Sequence, residues 1–148
     1  MKTRFLAFRR QQGAAAVEFA LVAIVFFILL LGVVEMGRVL FTWNAAAEAT
    51  RYGARVAAVC DMNDTAIVNR MRRIMPNLAA GNVSIAYLPS GCNKSNCLYV
   101  RVSLIDFQVT THIPVVSTIL TVPPFSTTIP RESLESTNSD GEANPVCT

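Results

Sequence analysis

Gly13-Ala14-Ala15-Ala16-Val17-Glu18 leads directly into Phe19–Val34, FALVAIVFFILLLGVV, a run of 16 uncharged and mostly apolar residues with one carboxylate at its border. An ionised group beside hydrocarbon is costly and needs a compensating partner. Between Ala14 and Val59 there is no proline, and the glycines are Gly32, Gly37 and Gly53. The simplest reading is one continuous helix of about 46 residues, roughly 70 Å long at 1.5 Å per residue, against a hydrocarbon core of about 30 Å. Its first half is apolar on all sides, as lipid demands, so the second half must project beyond the membrane.

Working outward, the head before Gly13 carries Lys2, Arg4, Arg9 and Arg10. Positive residues flanking an apolar span stay on the cytoplasmic side, which places everything after the span outside. Removing residues 1–13 takes the formal charge from +3 to −1, so the basicity belongs to the head and is no nucleic-acid signal. At 148 residues there is room for the helix and one compact domain.

In the projecting half, Phe41, Ala45, Ala49, Tyr52, Val56 and Val59 recur at helical spacing and predict a stripe that packs on the rest of the chain. A second helix is expected from Asn63 or Asp64, with Ile67, Met71 and Ile74 inward, ending at Pro76. The period then changes to two. Val83, Ile85 and Tyr87 form one strand, and Leu98, Val100, Val102 and Leu104 a second. The alternation slips at Asp106, which predicts a bend. A third strand is expected over Phe125 to Leu134, with Pro130 restricting it to an edge or bulge. Between strands two and three, Ile113, Val115, Val116, Ile119, Leu120 and Val122 make an apolar connection that requires cover.

The fold class is therefore α+β. A long N-terminal helix, its first half in the membrane, packs by its outer half on a second helix and a small three-stranded antiparallel sheet. The expected organisation is a leader at residues 1–13, a membrane and assembly segment at 14–37, an extracytoplasmic domain at 38–134 and a flexible tail at 135–148.

Cys60, Cys92, Cys97 and Cys147 all fall in the outward part, which fits disulfides in an oxidising compartment. Three pairings are possible. In one of them Cys92 and Cys97 close the polar turn Asn-Lys-Ser-Asn, and Cys60 ties down Cys147. There is no Cys-x-x-Cys pair and one histidine, His112, so no metal or cofactor is expected. The sequence holds no nucleophile elbow, phosphate loop or His-Glu-x-x-His, and gives an enzyme no site to rest on. Glu35 and Arg38 lie three apart at the outer membrane boundary, where they form a local pair and act as a stop signal or a docking point.

Three strings in order, Gly13-Ala14-Ala15-Ala16-Val17-Glu18-Phe19-Ala20-Leu21-Val22, Val33-Val34-Glu35-Met36-Gly37-Arg38 and Ala49-Thr50-Arg51-Tyr52-Gly53-Ala54-Arg55, resemble the TadE family of pilin-like proteins. The resemblance implies a minor pilin or pseudopilin of the tight-adherence (Flp, type IVc) pilus, inserted in a bacterial inner membrane and supporting adhesion and biofilm formation. It implies cleavage by a prepilin peptidase between Gly13 and Ala14, and an assembly role for Glu18 and Phe19 at the head of the mature helix. The implied partners are other pilin subunits, major and minor, the prepilin peptidase, the inner-membrane assembly platform and membrane lipid, with no nucleic acid. Two alternatives are an uncleaved bitopic accessory protein of a secretion or pilus-assembly machine, and an exported soluble protein with an ordinary signal peptide. The apolar run exceeds the usual signal length of about 7–15 residues, which weighs against the last.

Overall fold

The computed structural model describes residues 12–111, 119–121 and 123–148. The basic head before Gln12, His112, and Ile113, Val115, Val116 and Val122 of the apolar connection lie outside the described residues. The elements are α1 (Gln12–Val59), α2 (Thr65–Arg72), β1 (Val83–Leu88), β2 (Tyr99–Leu104), β3 (Gln108–Thr110), β4 (Ile119–Thr121) and β5 (Ser126–Pro130). The α+β class, the long helix and the three-stranded antiparallel sheet are all present.

Along α1 the environment changes once. Residues 13–22 are all exposed, and the apolar run remains so almost throughout, whereas Ala46, Ala49, Thr50, Ala54, Val56, Ala57 and Ala58 are buried. Small side chains fill that buried face because three elements approach it closely: α2, β2 and β5 all pack on α1. The buried stripe is therefore turned from the expected one, and Phe41, expected inside, is 73% exposed. A ring that size does not fit where alanines allow backbone-to-sheet contact.

Gly53 marks the closest approach. A Cβ there would stand 2.5 Å from the sulfur of Met71 and 2.8 Å from its Cγ, and Met71 is itself fully buried. Glycine in mid-helix costs about 1 kcal/mol relative to alanine, which tight α1–α2 packing offsets. A Gly53→Leu chain is expected to lose about 1–3 kcal/mol through overpacking. Thermal unfolding of the detergent-extracted protein checks it, and an unchanged midpoint would show that Met71 moves aside freely.

Asp64 caps α2: its Oδ1 accepts the Ala66 N–H at 2.9 Å, and its Oδ2 accepts the Ser136 hydroxyl at 2.6 Å. The helix stops at Arg72, short of Pro76. Arg73 and Ile74 donate to carbonyls three residues back, tightening the last turn before the residue preceding proline, where α geometry is disfavoured.

The sheet runs β1-β2-β5, all antiparallel, with Ile85 opposite Val102 and Val100 opposite Ile129. Val100, Val102 and Leu104 point into the core, and Tyr99 and Arg101 point out, the alternation a half-buried strand requires. Pro130 ends β5 on the sheet edge, where a missing donor is tolerated. At Asp106 the backbone turns through φ +51°, and the Asn82 side-chain amide donates to the carbonyls of Ile105 and Asp106 at 3.2 and 3.1 Å. Past this bend β3 and β4 form a separate two-stranded ladder that the sequence reading did not resolve.

The chain after β5 closes the far end of α1. The orphan carbonyls of the last helical turn accept from Glu132 (to Ala58, 2.9 Å), Glu135 (to Val59, 2.7 Å) and the Ser133 hydroxyl (to Val59, 2.9 Å). Leu134 between them is fully buried. Further on, Thr137 bridges Ala143, and the Arg70 guanidinium donates to the carbonyls of Pro145, Val146 and Thr148 at 2.7, 3.2 and 2.8 Å.

Candidate assembly and membrane-crossing site

Among the described residues α1 runs from Gln12, and Gly13 and Ala14 follow at once. Both residues are exposed, and no atom outside the local chain lies within 4 Å of where a Gly13 Cβ would stand. Glu18 is exposed one turn further on, next to Phe19 at 75% exposure. Among the described residues Glu18 has no ion-pair partner.

From Val17 to Met36, large apolar side chains stand out on every side of the helix, and none of its most apolar stretch is buried inside the molecule. Water would penalise this surface at about 25 cal/mol per Å². The helix is long and apolar enough to cross a membrane.

Where the apolar run ends, Glu35 and Arg38 pair as expected, with Arg38 Nε 3.0 Å and Nη2 2.9 Å from Glu35 Oε2. Arg38 also donates to the carbonyl of Thr110 at the end of β3. The boundary pair therefore ties the helix to the β3–β4 ladder as well as marking the exit from the apolar segment. Thr110 carries no sequence signal for this role, since it contributes only a backbone oxygen 72 residues away.

At the opposite end of the domain the cysteines are joined Cys60–Cys147 and Cys92–Cys97, and none of the four is free. Lys94, in the loop between Cys92 and Cys97, makes an ion pair with Asp61 just beyond α1. Hydrogen bonding from Lys94 holds the Asp61 carboxyl below its usual range, and the same bond raises the Lys94 ammonium. Burial raises the Tyr87 phenol, whose oxygen accepts the Asn63 N–H at 3.0 Å. Among the described residues no group of three or more His, Cys, Asp or Glu is placed to hold a metal.

Residues 13–55 match the family model described as TadE-like protein. No curated protein and no solved structure matches the chain. The matched residues begin at the exposed Gly13–Ala14 bond and end where α1 is covered by its own domain. The domain beyond Arg55 has no counterpart in the match. By that match residues 13–55 are similar to a TadE-like domain, a similarity that supports a protein associated with the Tad pilus.

Proposed function

We propose that the chain is a minor pilin, or pseudopilin, of a tight-adherence pilus: a structural subunit, not an enzyme, that takes part in assembling the fibre and so supports adhesion and biofilm formation. The observation that carries this reading is the 13–55 match, which starts at the bond before Ala14, with Glu18 four residues beyond it and without an ion-pair partner among the described residues. A prepilin peptidase cuts between Gly13 and Ala14 and leaves a free amine on Ala14. Glu18 of one subunit then neutralises the Ala14 amine of a neighbour, so that neither charge is left alone in the apolar layer. The helix holds the subunit in a bacterial inner membrane until it enters the fibre, with the disulfide-bonded domain outside the cytoplasm. Major and minor pilins and the assembly platform are its partners.

Gly13→Leu tests the processing step. The bulky side chain at the cleavage position is expected to leave the chain at full length in a peptidase-competent cell, where the parent runs 13 residues shorter. Intact mass of the membrane fraction reads this out. A mature-length product from the Gly13→Leu chain would move the cut elsewhere.

The alternative is an uncleaved bitopic accessory protein of the same machine. It predicts residues 1–13 on the native protein.

A further inference from the structure

The apolar surface of α1 does not stop at the membrane segment. Val17 to Met36 makes about 30 Å of helix, enough to fill the hydrocarbon. Beyond it Leu40 and Phe41 are still exposed, Phe41 at 73%. The Phe41 Cα stands about 7.5 Å above the hydrocarbon, and its ring hangs lower, because side chains on a helix lean toward its N-terminus. The headgroup layer is about 5–7 Å deep on each side, so the ring lies in that layer.

The rest of the domain comes down to the same height. Glu132 bonds the Ala58 carbonyl at the far end of α1, Met71 abuts Gly53 lower down, and Ile74, Asn77 and Phe107 border one shallow groove with Phe41 and Ala45. Past Phe107 the chain continues as β3 to Thr110, whose carbonyl accepts from Arg38 at the membrane boundary. β3 therefore runs along α1 toward the bilayer, and Val39 on α1 and Val109 on β3 are both buried in the one apolar cluster.

Charge is divided between the two ends of the domain. Among the described residues the groove is lined by no charged side chain, whereas Asp61, Lys94, Arg131, Glu132 and Glu135 gather at the end near Val59. We propose that the groove and the adjoining end of β3 are seated on lipid, in the headgroup layer of the membrane that α1 crosses. An apolar face sinks about 5–10 Å into that layer when the opposite side is polar, which is the division seen here. Position selects lipid over a protein partner. Exposed apolar surface runs from the hydrocarbon segment through Leu40 and Phe41 into the groove, so the bilayer reaches it first.

Such a seat holds the domain at α1, at the loop after α2 and at the bend before β3, so it cannot swing about the helix exit. The disulfide-bonded end is then carried with Val59, about 35 Å above the hydrocarbon. The inference rests on α1 crossing the membrane but not on cleavage at Gly13, so an uncleaved chain tests it equally.

The test is fluorescence quenching of the full chain in vesicles of phosphatidylethanolamine and phosphatidylglycerol that include lipid bearing a nitroxide on its headgroup. Trp43 is the one tryptophan of the sequence, so Trp43→Phe clears the background for single tryptophans placed elsewhere. In that background Asn77→Trp and Phe107→Trp are expected to be quenched about as strongly as Phe41→Trp, and several-fold more than Tyr99→Trp, which is exposed at the far end of the sheet. Asn77 is itself exposed, so its replacement leaves the core packing intact. Quenching at Phe41→Trp alone would show the domain standing clear of lipid and overturn the seat. Equal quenching at Tyr99→Trp would lay the sheet on the bilayer and overturn the choice of face. Phe26→Trp, read with the nitroxide on the acyl chain instead, reports the crossing of α1 itself. If Phe26→Trp is quenched while Asn77→Trp and Phe107→Trp are not, the seat alone is overturned; if Phe26→Trp is not quenched, the crossing falls with it.

Discussion

Glu18→Ala is expected to insert in the membrane and to be cleaved normally, yet to lower pilus assembly by about 100-fold. An unpaired charge at the centre of a membrane helix costs about 2.5–3.5 kcal/mol by insertion measurements, and each 1.4 kcal/mol is a factor of ten in an equilibrium. The variant removes the carboxylate and leaves the Ala14 amine of the neighbouring subunit without its counter-charge, so the loss falls on assembly alone. Insertion is spared because alanine makes the segment more apolar, and cleavage is spared because the Gly13–Ala14 bond is untouched. Counting pili by electron microscopy beside the mass of the membrane-held chain separates these steps. Normal pilus number with a normally processed chain would remove the assembly role of Glu18.

The second large effect concerns the outer domain. Cys60 and Cys147 are 87 positions apart in sequence, whereas Cys92 and Cys97 are five apart. In the chain-entropy account, closing the long loop stabilises by about 4–5 kcal/mol and the short one by about 2 kcal/mol. Cys60→Ser with Cys147→Ser is therefore expected to lower the unfolding midpoint much more than Cys92→Ser with Cys97→Ser. Loss of the long link also frees the residues that satisfy the last carbonyls of α1, so protease should cut first after Leu134 in that variant. Equal midpoints for the two double variants would contradict the account, because loop length would then carry no weight.

Much of this architecture is legible in the residues. Proline-free sequence from Ala14 to Val59 dictates α1, Asn63 or Asp64 announces the cap of α2 that Asp64 makes, and the period-two runs around Ile85 and Val102 become β1 and β2 in register with each other. Pro130 correctly restricts its strand to an edge. What escapes the sequence is set by neighbours remote along the chain. Phe41 shares the helical period of the core, and only the close packing of α2 and the sheet on small residues turns it outward. The β3–β4 ladder has three residues in each strand, too few for an alternation to register, and its partners are separated by the apolar connection.

The site divides in the same way. The cost of a charge beside an apolar run singles out Glu18 as a local property, whereas the cut between Gly13 and Ala14 and the assembly role of Glu18 and Phe19 are what the family resemblance implies. Their exposure in the structure leaves that reading open to direct test. The Glu35–Arg38 pair was readable from its spacing of three, but its link to Thr110 was not, because a backbone carbonyl leaves no mark on composition. The polar residues from Glu135 onward read as solvated, and nothing in them shows that Glu135 and Ser136 bond the end of α1 and the residue just beyond it.

The proposed function turns on the chemical state of one amine, which sequencing the amino terminus of the protein extracted from membranes of a peptidase-competent cell determines directly. The account predicts that the first residue is Ala14, followed by Ala15, Ala16, Val17 and Glu18. A terminus at Met1 would contradict it, because the positive charge that Glu18 is there to neutralise would then not exist.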